Sequence, residues 1–240
     1  MTFWEHLDEL RGSLIRMAIA AVAMGLIAFA FKETLFDIVL APSKSDFFLY
    51  RLIGTGPFDI RLINTGLAEQ FTIHMKVALT VGLLVASPYI LYLLFHFISP
   101  ALYENERRYS VTITLSAYIM FIIGVALNYF LVFPLTVRFL GTYSVSSEVE
   151  NMLSLSSYVD SLLMMSLCFG IIFELPVICW ILGRLGLLKS EWMTHYRRHA
   201  IVAILIIAAI ITPTGDIFTL LVVSLPIYIL YEASVFLVRR

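Results

Sequence analysis

The chain alternates long apolar runs with short polar stretches. A bilayer core of about 30 Å is crossed by about 20 helical residues, and most of the runs reach that length. Six runs are candidate spans, at about 14–36, 69–97, 109–132, 157–183, 199–212 and 217–238. The fifth is short, so we expect the last two segments to be a pair of short helices in a locally thin bilayer. The alternative is a re-entrant hairpin, which would leave the sixth segment stranded.

Polar residues and prolines predict where these helices begin and bend. Thr2 to Glu5 form a capping box, which predicts an amphipathic lead-in helix over residues 1–13, lying on the membrane surface. A second capping box, Ser157 to Asp160, predicts the start of the fourth span. A proline inside a span removes a backbone donor and bends the helix. Such prolines are Pro88, Pro176 and Pro226.

Composition sets the class of protein. Of the 240 residues, 60% are hydrophobic and 14% are charged, where a soluble domain carries roughly a quarter charged residues. The mean hydropathy is +0.93. We therefore expect one integral-membrane helical domain over residues 1–240, all-α, with six transmembrane helices. The net charge of -1 gives no basic surplus that would favour a nucleic-acid partner. Cys168 and Cys179 are interpreted as packing residues.

The loop cations predict the orientation. With the N-terminus inside, the inner segments hold ten Lys and Arg residues and the outer segments hold five. Because Lys and Arg are enriched on the cytoplasmic side, both termini are predicted to be cytoplasmic. No internal repeat is visible, which weakens an interpretation as a secondary transporter.

Two carboxylates on the inner side lack a local partner. On the lead-in helix, Asp8 has Arg11 at i+3, but Glu9 has no cation at i+3 or i+4. In the first inner loop, Glu106 has arginines only at i+1 and i+2, which point elsewhere on a helix. A carboxylate meets a guanidinium by two parallel hydrogen bonds, which Lys cannot copy. The two groups could receive two arginines of a visiting peptide, or both could simply be solvated.

Polar groups inside the spans are the other candidates. Glu174 lies just past the middle of the fourth span, where a charge costs on the order of 3 kcal/mol, so it is expected to face protein or water. Lys76 lies near the outer end of the second span with His74, and it could serve function or simply snorkel.

No catalytic set is recognisable, so we expect neither an enzyme nor a bound cofactor. The sequence lacks the H-E-x-x-H and G-x-S-x-G motifs and a glycine-rich phosphate loop. His195 and His199 have the i, i+4 spacing of a metal pair, but no third ligand is near, so a basic inner loop is the preferred interpretation and no metal site is predicted.

Several motifs resemble the TatC family, the multispanning subunits of the twin-arginine protein translocase. The resemblance runs from His6 to about Phe236. Its strongest parts are H-L-D-E-L-R at the N-terminus and F-I-S-P-A-L-Y-E-N-E-R-R in the first inner loop. Further matches are Ala86-Ser87-Pro88, Phe173-Glu174-Leu175-Pro176, Thr212-Pro213 with Asp216, and Pro226 with Glu232. The sequence departs from the family pattern at Leu220 and at the extra Gly215.

The resemblance implies six helices in a concave bundle and a binding site for twin-arginine signal peptides. The residues that match that site are Glu9, Glu106, Phe97, Leu102 and Arg11. It also implies docking of the single-span subunits TatA and TatB near the polar step of the last two spans, and the matching residues there are Thr212, Asp216 and Glu232. Glu174 matches a buried acidic position on the concave face.

These observations predict a signal-peptide receptor and core scaffold that exports folded proteins with the proton-motive force. It would be a multi-pass protein of a bacterial-type cytoplasmic membrane, in contact with lipid and oligomeric in its complex. The alternative is a small proton-coupled transporter that uses Glu174 as its relay.

Overall fold

The computed structural model describes residues 3–54, 56, 58, 60–98, 110–144, 146, 151–212 and 214–239. In chain order its elements are α1 (Phe3–Phe29), α2 (Lys32–Leu40), a 3-10 turn (Ala41–Ser43), α3 (Phe48–Ile53), β1 (Arg61–Ile63), α4 (Glu69–Ile98), α5 (Ser110–Leu127), a π-helical turn (Asn128–Val132), α6 (Phe133–Thr142), β2 (Met152–Ser154), α7 (Leu155–Ile172), α8 (Leu175–Arg184), α9 (Ser190–His195), α10 (Arg197–Ile211) and α11 (Ile217–Arg239).

Five of the predicted spans are long and apolar enough to cross a membrane among the residues that the structure describes. They are Leu7–Phe29, Glu69–Phe97, Thr112–Thr142, Leu155–Arg184 and Ile217–Arg239. The fifth apolar segment of the chain, α10, has 15 residues and is about 22 Å long, so it is short as expected. The last helix is not short, since α11 has 23 residues and Pro226 lies within it without ending it.

The first span differs from its prediction at both ends. It was expected at about 14–36, after a separate lead-in, but α1 runs without a break from Phe3 to Phe29. A turn at Ala30 and Phe31 then separates it from α2. The lead-in and the span are therefore one helix. The first capping box lies partly outside the described residues.

Prolines act differently in the third and fourth spans. In the third, Pro134 follows the π-helical turn Asn128–Val132, and the helix continues to Thr142, ten residues beyond the predicted end. In the fourth, α7 ends at Ile172, four residues before Pro176. A proline cannot donate to the carbonyl four residues back and its ring clashes with that carbonyl. Pro176 therefore separates α7 from α8 rather than only bending one helix.

The chain divides into two compact units. The first contains residues up to Phe36 and Gln70–Ile119. Within it, α1 and α4 pack backbone to backbone at Gly25 and Gly82. They are so close that a Cβ placed on Gly82 would overlap the backbone of Gly25. Near their ends, the rings of Phe29 and His74 stack at 4.0 Å between centroids, with an interplanar angle of 14°. Glycine thus permits a backbone contact that any larger side chain would prevent.

The second unit contains Asp37–Glu69 and Met120–Arg240. Three tyrosine hydroxyls tie its first segment to the third and fourth spans. Tyr50 is fully buried, and its hydroxyl lies 2.9 Å from the carbonyls of both Pro42 and Pro134. Tyr129 donates to the carbonyl of Ile38 at 2.7 Å, and Tyr158 donates to that of Val39 at 2.9 Å. Ile38 and Val39 lie in the last turn of α2, where helix carbonyls have no intrahelical donor, and the tyrosine hydroxyls supply one.

A two-stranded parallel sheet joins two loops in this unit. Arg61 pairs with Met152, and Ile63 pairs with Ser154. Strand β1 precedes the second span and β2 follows the third. Because two spans separate them, both strands emerge on the same side of the membrane.

The carboxylate of Glu69 lies beside this sheet and accepts five hydrogen bonds. Oε2 accepts from the Thr65 N–H at 2.8 Å, the Gly66 N–H at 2.7 Å and the Thr65 hydroxyl at 3.2 Å. Oε1 accepts from the Ser156 N–H at 3.0 Å and the Ser154 hydroxyl at 3.4 Å. We call these five residues with β1 and β2 the Glu69 clasp. The Ser156 N–H belongs to the first turn of α7, so Glu69 caps that helix. The predicted start of this helix at Ser157 is wrong by two residues.

Candidate functional site

The N-terminal candidates lie on α1, in the first unit. Glu9 is half-buried and Arg11 is exposed. Glu9 forms no ion pair with a described residue, as its lack of i+3 and i+4 cations predicts. Asp8 and Arg11, both described, do not form an ion pair with each other either. A carboxylate without an internal cation remains available to a cation from outside.

The remaining signal-peptide candidates lie at the end of α4 and beyond it. Phe97 is the penultimate residue of that helix and is half-buried. Leu102 and Glu106 lie outside the described residues. The structure therefore describes the α1 and α4 sides of the candidate site, and the Glu9–Glu106 pairing stays a prediction.

Glu174 occupies the break between α7 and α8. It is the N-cap residue of α8, but its side chain makes no capping bond. The residue is 7% exposed, and neither carboxyl oxygen has a hydrogen-bond partner among the described residues. Its backbone is satisfied, since its N–H donates to the carbonyl of Ile171 at 3.0 Å and its carbonyl accepts from Ile178 at 2.9 Å. Of the polar groups of Glu174, the carboxyl group is thus the one without a described partner, and it is the group that could take part in a functional interaction.

Lys76 and His74 lie near the start of α4 but have different surroundings. Lys76 is exposed, consistent with a long side chain that reaches the interface. His74 is 7% exposed. Besides stacking on Phe29, its ring lies beside that of Phe36, with 5.8 Å between the ring centroids. Its Nε2 has no partner in the described part of the chain. The buried polar residue of this pair is the histidine.

The polar residues of the last two spans form internal contacts. Asp216 caps α11: it accepts from the Thr219 N–H at 2.8 Å and from the hydroxyls of Thr214 and Thr219, both at 2.6 Å. Partial burial acts to raise the pKa of Asp216, but these hydrogen bonds outweigh it and hold the pKa below its usual range. Thr212 ends α10 and is 6% exposed.

Glu232 has a partner that its sequence neighbourhood does not indicate. In the sequence, Glu232 lies near Arg239 and Arg240, which fits an interfacial role as well as a functional one. In the structure its Oε2 pairs with Arg197 at 2.7 Å, and its Oε1 accepts from the Tyr228 hydroxyl at 3.1 Å. This ion pair links α11 to the first residue of α10.

His195 and His199 both contact one aromatic ring. The ring centroids of His195 and His199 lie 5.0 Å and 5.5 Å from that of Tyr196. These contacts give both imidazoles a packing role.

The family model described as TatC, Sec-independent protein translocase protein, matches residues 5–226. The chain belongs to the TatC family. The TatC protein of Desulforapulum autotrophicum is 37% identical, over 97% of this chain and 82% of its own length. The TatC proteins of Blattabacterium sp. subsp. Periplaneta americana and Aquifex aeolicus are each 34% identical, over 99% of this chain and 94% of their own lengths.

A solved structure supports the same fold. The crystal structure of a twin arginine translocase receptor, TatC, superimposes with a TM-score of 0.82, at 34% identity, and covers 98% of each chain. The predicted all-α fold with six transmembrane helices is thereby confirmed. This TatC-family chain is a multi-pass membrane protein and a translocase component, and the comparisons do not support the small-solute transporter.

Two features of this TatC-family chain escaped the sequence analysis. The first is the Glu69 clasp, whose local signal is Thr65-Gly66 followed by Glu69 at the start of an apolar run. The second is the hydrogen bond between Asn128 and Ser166, 3.0 Å long and buried. It joins the π-helical turn to α7. An asparagine within an apolar segment was a usable signal for it, but its partner lies 38 residues away.

Proposed function

We propose that this TatC-family chain receives the twin-arginine signal peptides of folded cargo and is the core scaffold of their export. Glu9 carries the proposal. It lies on the first helix, half-buried and without a cation among the described residues, as a receptor for an incoming guanidinium requires.

The two arginines of the signal peptide would bind Glu9 and Glu106. Each guanidinium can donate two parallel hydrogen bonds to a carboxylate. Phe97 and Leu102 would contact the apolar part of the peptide, and Arg11 would limit how many cations the site accepts. Energy for transport would come from the proton-motive force.

The partners would be the single-span subunits TatA and TatB, in an oligomeric complex. The short α10 supports docking near Thr212, Asp216 and Glu232, because a helix of about 22 Å leaves a thin place in a bilayer core of about 30 Å. Since Asp216 and Glu232 already have internal partners, they would shape this place rather than contact the partner directly.

The surrounding membrane would be a bacterial-type cytoplasmic membrane with both termini inside. The excess of Lys and Arg in the inner loops supports this orientation. Residues 1–240 would act as a single membrane domain. Glu174 and Lys76 would be the intramembrane polar groups, and of the two we assign the export role to the buried Glu174.

The proposal is tested by binding of a labelled twin-arginine signal peptide to the purified protein in detergent, beside its twin-lysine version. The arginine peptide should bind more tightly, and Glu9→Gln or Glu106→Gln should each weaken binding by about 1.5–3 kcal/mol, the range for a hydrogen bond to a charged group. Asp8→Asn is the matched control, because it removes a charge from the adjacent position of α1. Equal binding of both peptides, or an equal loss in the control, would contradict the proposal.

A further inference from the structure

The segment between α8 and α10 is held at the membrane boundary. It contains residues 185–196, including the short helix α9. The span Leu155–Arg184 ends on one side of it, and the short apolar helix α10 begins on the other. The Tyr231 hydroxyl of α11 donates to the carbonyl of Met193 at 2.7 Å, and the Met193 side chain is 7% exposed. One side of the segment is therefore fixed against the last helix.

Apolar side chains of the same segment remain exposed. Leu187 is 65% exposed, and Trp192 and Tyr196 are each 55% exposed. Tryptophan and tyrosine favour the headgroup level of a bilayer, where one end of the side chain is apolar and the other is wet. The exposed side of the segment thus suits the interface between lipid tails and headgroups.

Two cations stand over aromatic rings at this place. The guanidinium carbon of Arg184 lies 5.3 Å from the Trp180 ring centroid, and Nζ of Lys189 lies 5.8 Å from that of Trp192. Neither cation forms an ion pair with a described residue, whereas the nearby Arg197 pairs with Glu232. Contact with a ring orients a cation but leaves its N–H groups free for an anion.

The charge balance favours an anionic occupant. From residue 184 to residue 199 the chain carries four Lys and Arg residues and one carboxylate, Glu191. Basic clusters beside transmembrane helices bind acidic lipid headgroups. Each cation near the surface raises the affinity roughly fivefold. A lipid phosphate would supply Arg184 and Lys189 with acceptor oxygens that no described carboxylate provides, and its acyl chains would contact the exposed apolar side chains.

We infer that Arg184 and Lys189, with Trp180 and Trp192, form a binding site for the headgroup of an acidic phospholipid. This site shares no residue with the proposed signal-peptide site, and its test does not depend on that proposal.

The test uses the full chain in nanodiscs, with Trp4→Phe and Trp180→Phe so that Trp192 is the single tryptophan. The phenylalanine at position 180 keeps a ring below Arg184. The nanodiscs hold a fixed minor fraction of lipid with brominated acyl chains, either phosphatidylglycerol or phosphatidylcholine. Brominated phosphatidylglycerol should quench Trp192 fluorescence more strongly.

Arg184→Gln with Lys189→Gln should remove this preference, with a loss of about fivefold for each cation. Lys32→Gln with Lys44→Gln removes the same charge elsewhere and should leave the preference unchanged. Equal quenching by the two lipids, or a preference that survives in the first pair or disappears in the second, would overturn the inference. Absence of quenching by either lipid would show that protein covers the surface, and it would overturn the inference as well.

Discussion

Each half of the fourth span, α7 and α8, has a carboxylate at its start, and the two carboxylates differ in their hydrogen bonding. At the start of α7, Glu69 arrives from another helix and accepts five hydrogen bonds, one of them from the first turn. At the start of α8, Glu174 is itself the N-cap residue, yet its carboxyl oxygens have no partner among the described residues. Buried polar groups are normally paired. Glu69 therefore stabilises the structure, whereas the burial of Glu174 is not offset by a hydrogen bond to a described residue.

The largest effect is expected when the hydrogen-bonded carboxylate, that of Glu69, is removed. Glu69→Ala removes the acceptor for three backbone N–H groups and leaves them without a protein partner. Amide exchange at Thr65, Gly66 and Ser156 should accelerate on the order of a hundredfold, because hydrogen bonds to charged groups are lost. Hydrogen exchange followed by mass spectrometry measures it.

Asp8→Ala is the control for this variant, since Asp8 is exposed and makes no ion pair among the described residues. It should leave the exchange of those amides unchanged. Unaltered protection in Glu69→Ala would show that the clasp does not depend on its carboxylate.

Removal of the carboxyl group of Glu174 should instead stabilise the protein. Glu174→Leu replaces a buried carboxyl group that lacks a described partner with an apolar side chain of similar size, and the free energy of unfolding should rise by about 1–2 kcal/mol. If Glu174 serves export, transport of a twin-arginine reporter in membrane vesicles should fall in the same variant. Thermal unfolding in detergent and the vesicle assay give the two results. A marked loss of stability would mean that the carboxyl group has partners and is structural.

Asp216 lies between these extremes and should give the smallest effect. Asp216→Ala removes the cap of α11 and should cost about 1 kcal/mol of unfolding free energy, whereas Asp216→Asn should cost less because asparagine also caps helices. Since hydrogen bonds lower the pKa of the folded carboxyl, its contribution is complete above an unfolded pKa of about 4 and is lost as the pH falls through the lower folded value.

The acid dependence separates the two Asp216 variants from the unaltered protein. Thermal unfolding measured from neutral pH down to about pH 3 should show the additional acid loss only where the carboxyl is present. The same acid dependence in Asp216→Asn would assign it to another group.

Span positions were predictable because they depend on local apolar length. The second span was expected at 69–97 and α4 is Glu69–Ile98. The third extends further than expected because the π-helical turn before Pro134 lets the helix continue past the proline. The tyrosine bonds and the Glu69 clasp join positions more than eighty residues apart, and no local pattern specifies such partners.

The candidate site was predictable in part for the same reason. The lack of a cation near Glu9 follows from residues within one turn of helix, and Glu9 forms no ion pair with a described residue. The lack of a described partner for Glu174 follows from its apolar neighbours. The partner of Glu232 was not predictable from its neighbours, because its cation, Arg197, comes from the preceding helix. Glu106 and Leu102 remain predictions from their motif.

The pairing of β1 with β2 also constrains how the protein is made. The two strands lie roughly ninety positions apart, and a contact at such separation forms slowly. During synthesis β1 emerges first and must wait until the second and third spans have been inserted and β2 has been delivered to the same side of the membrane. The clasp therefore closes late in biogenesis, and until then the first loop remains open to proteases and chaperones on that side.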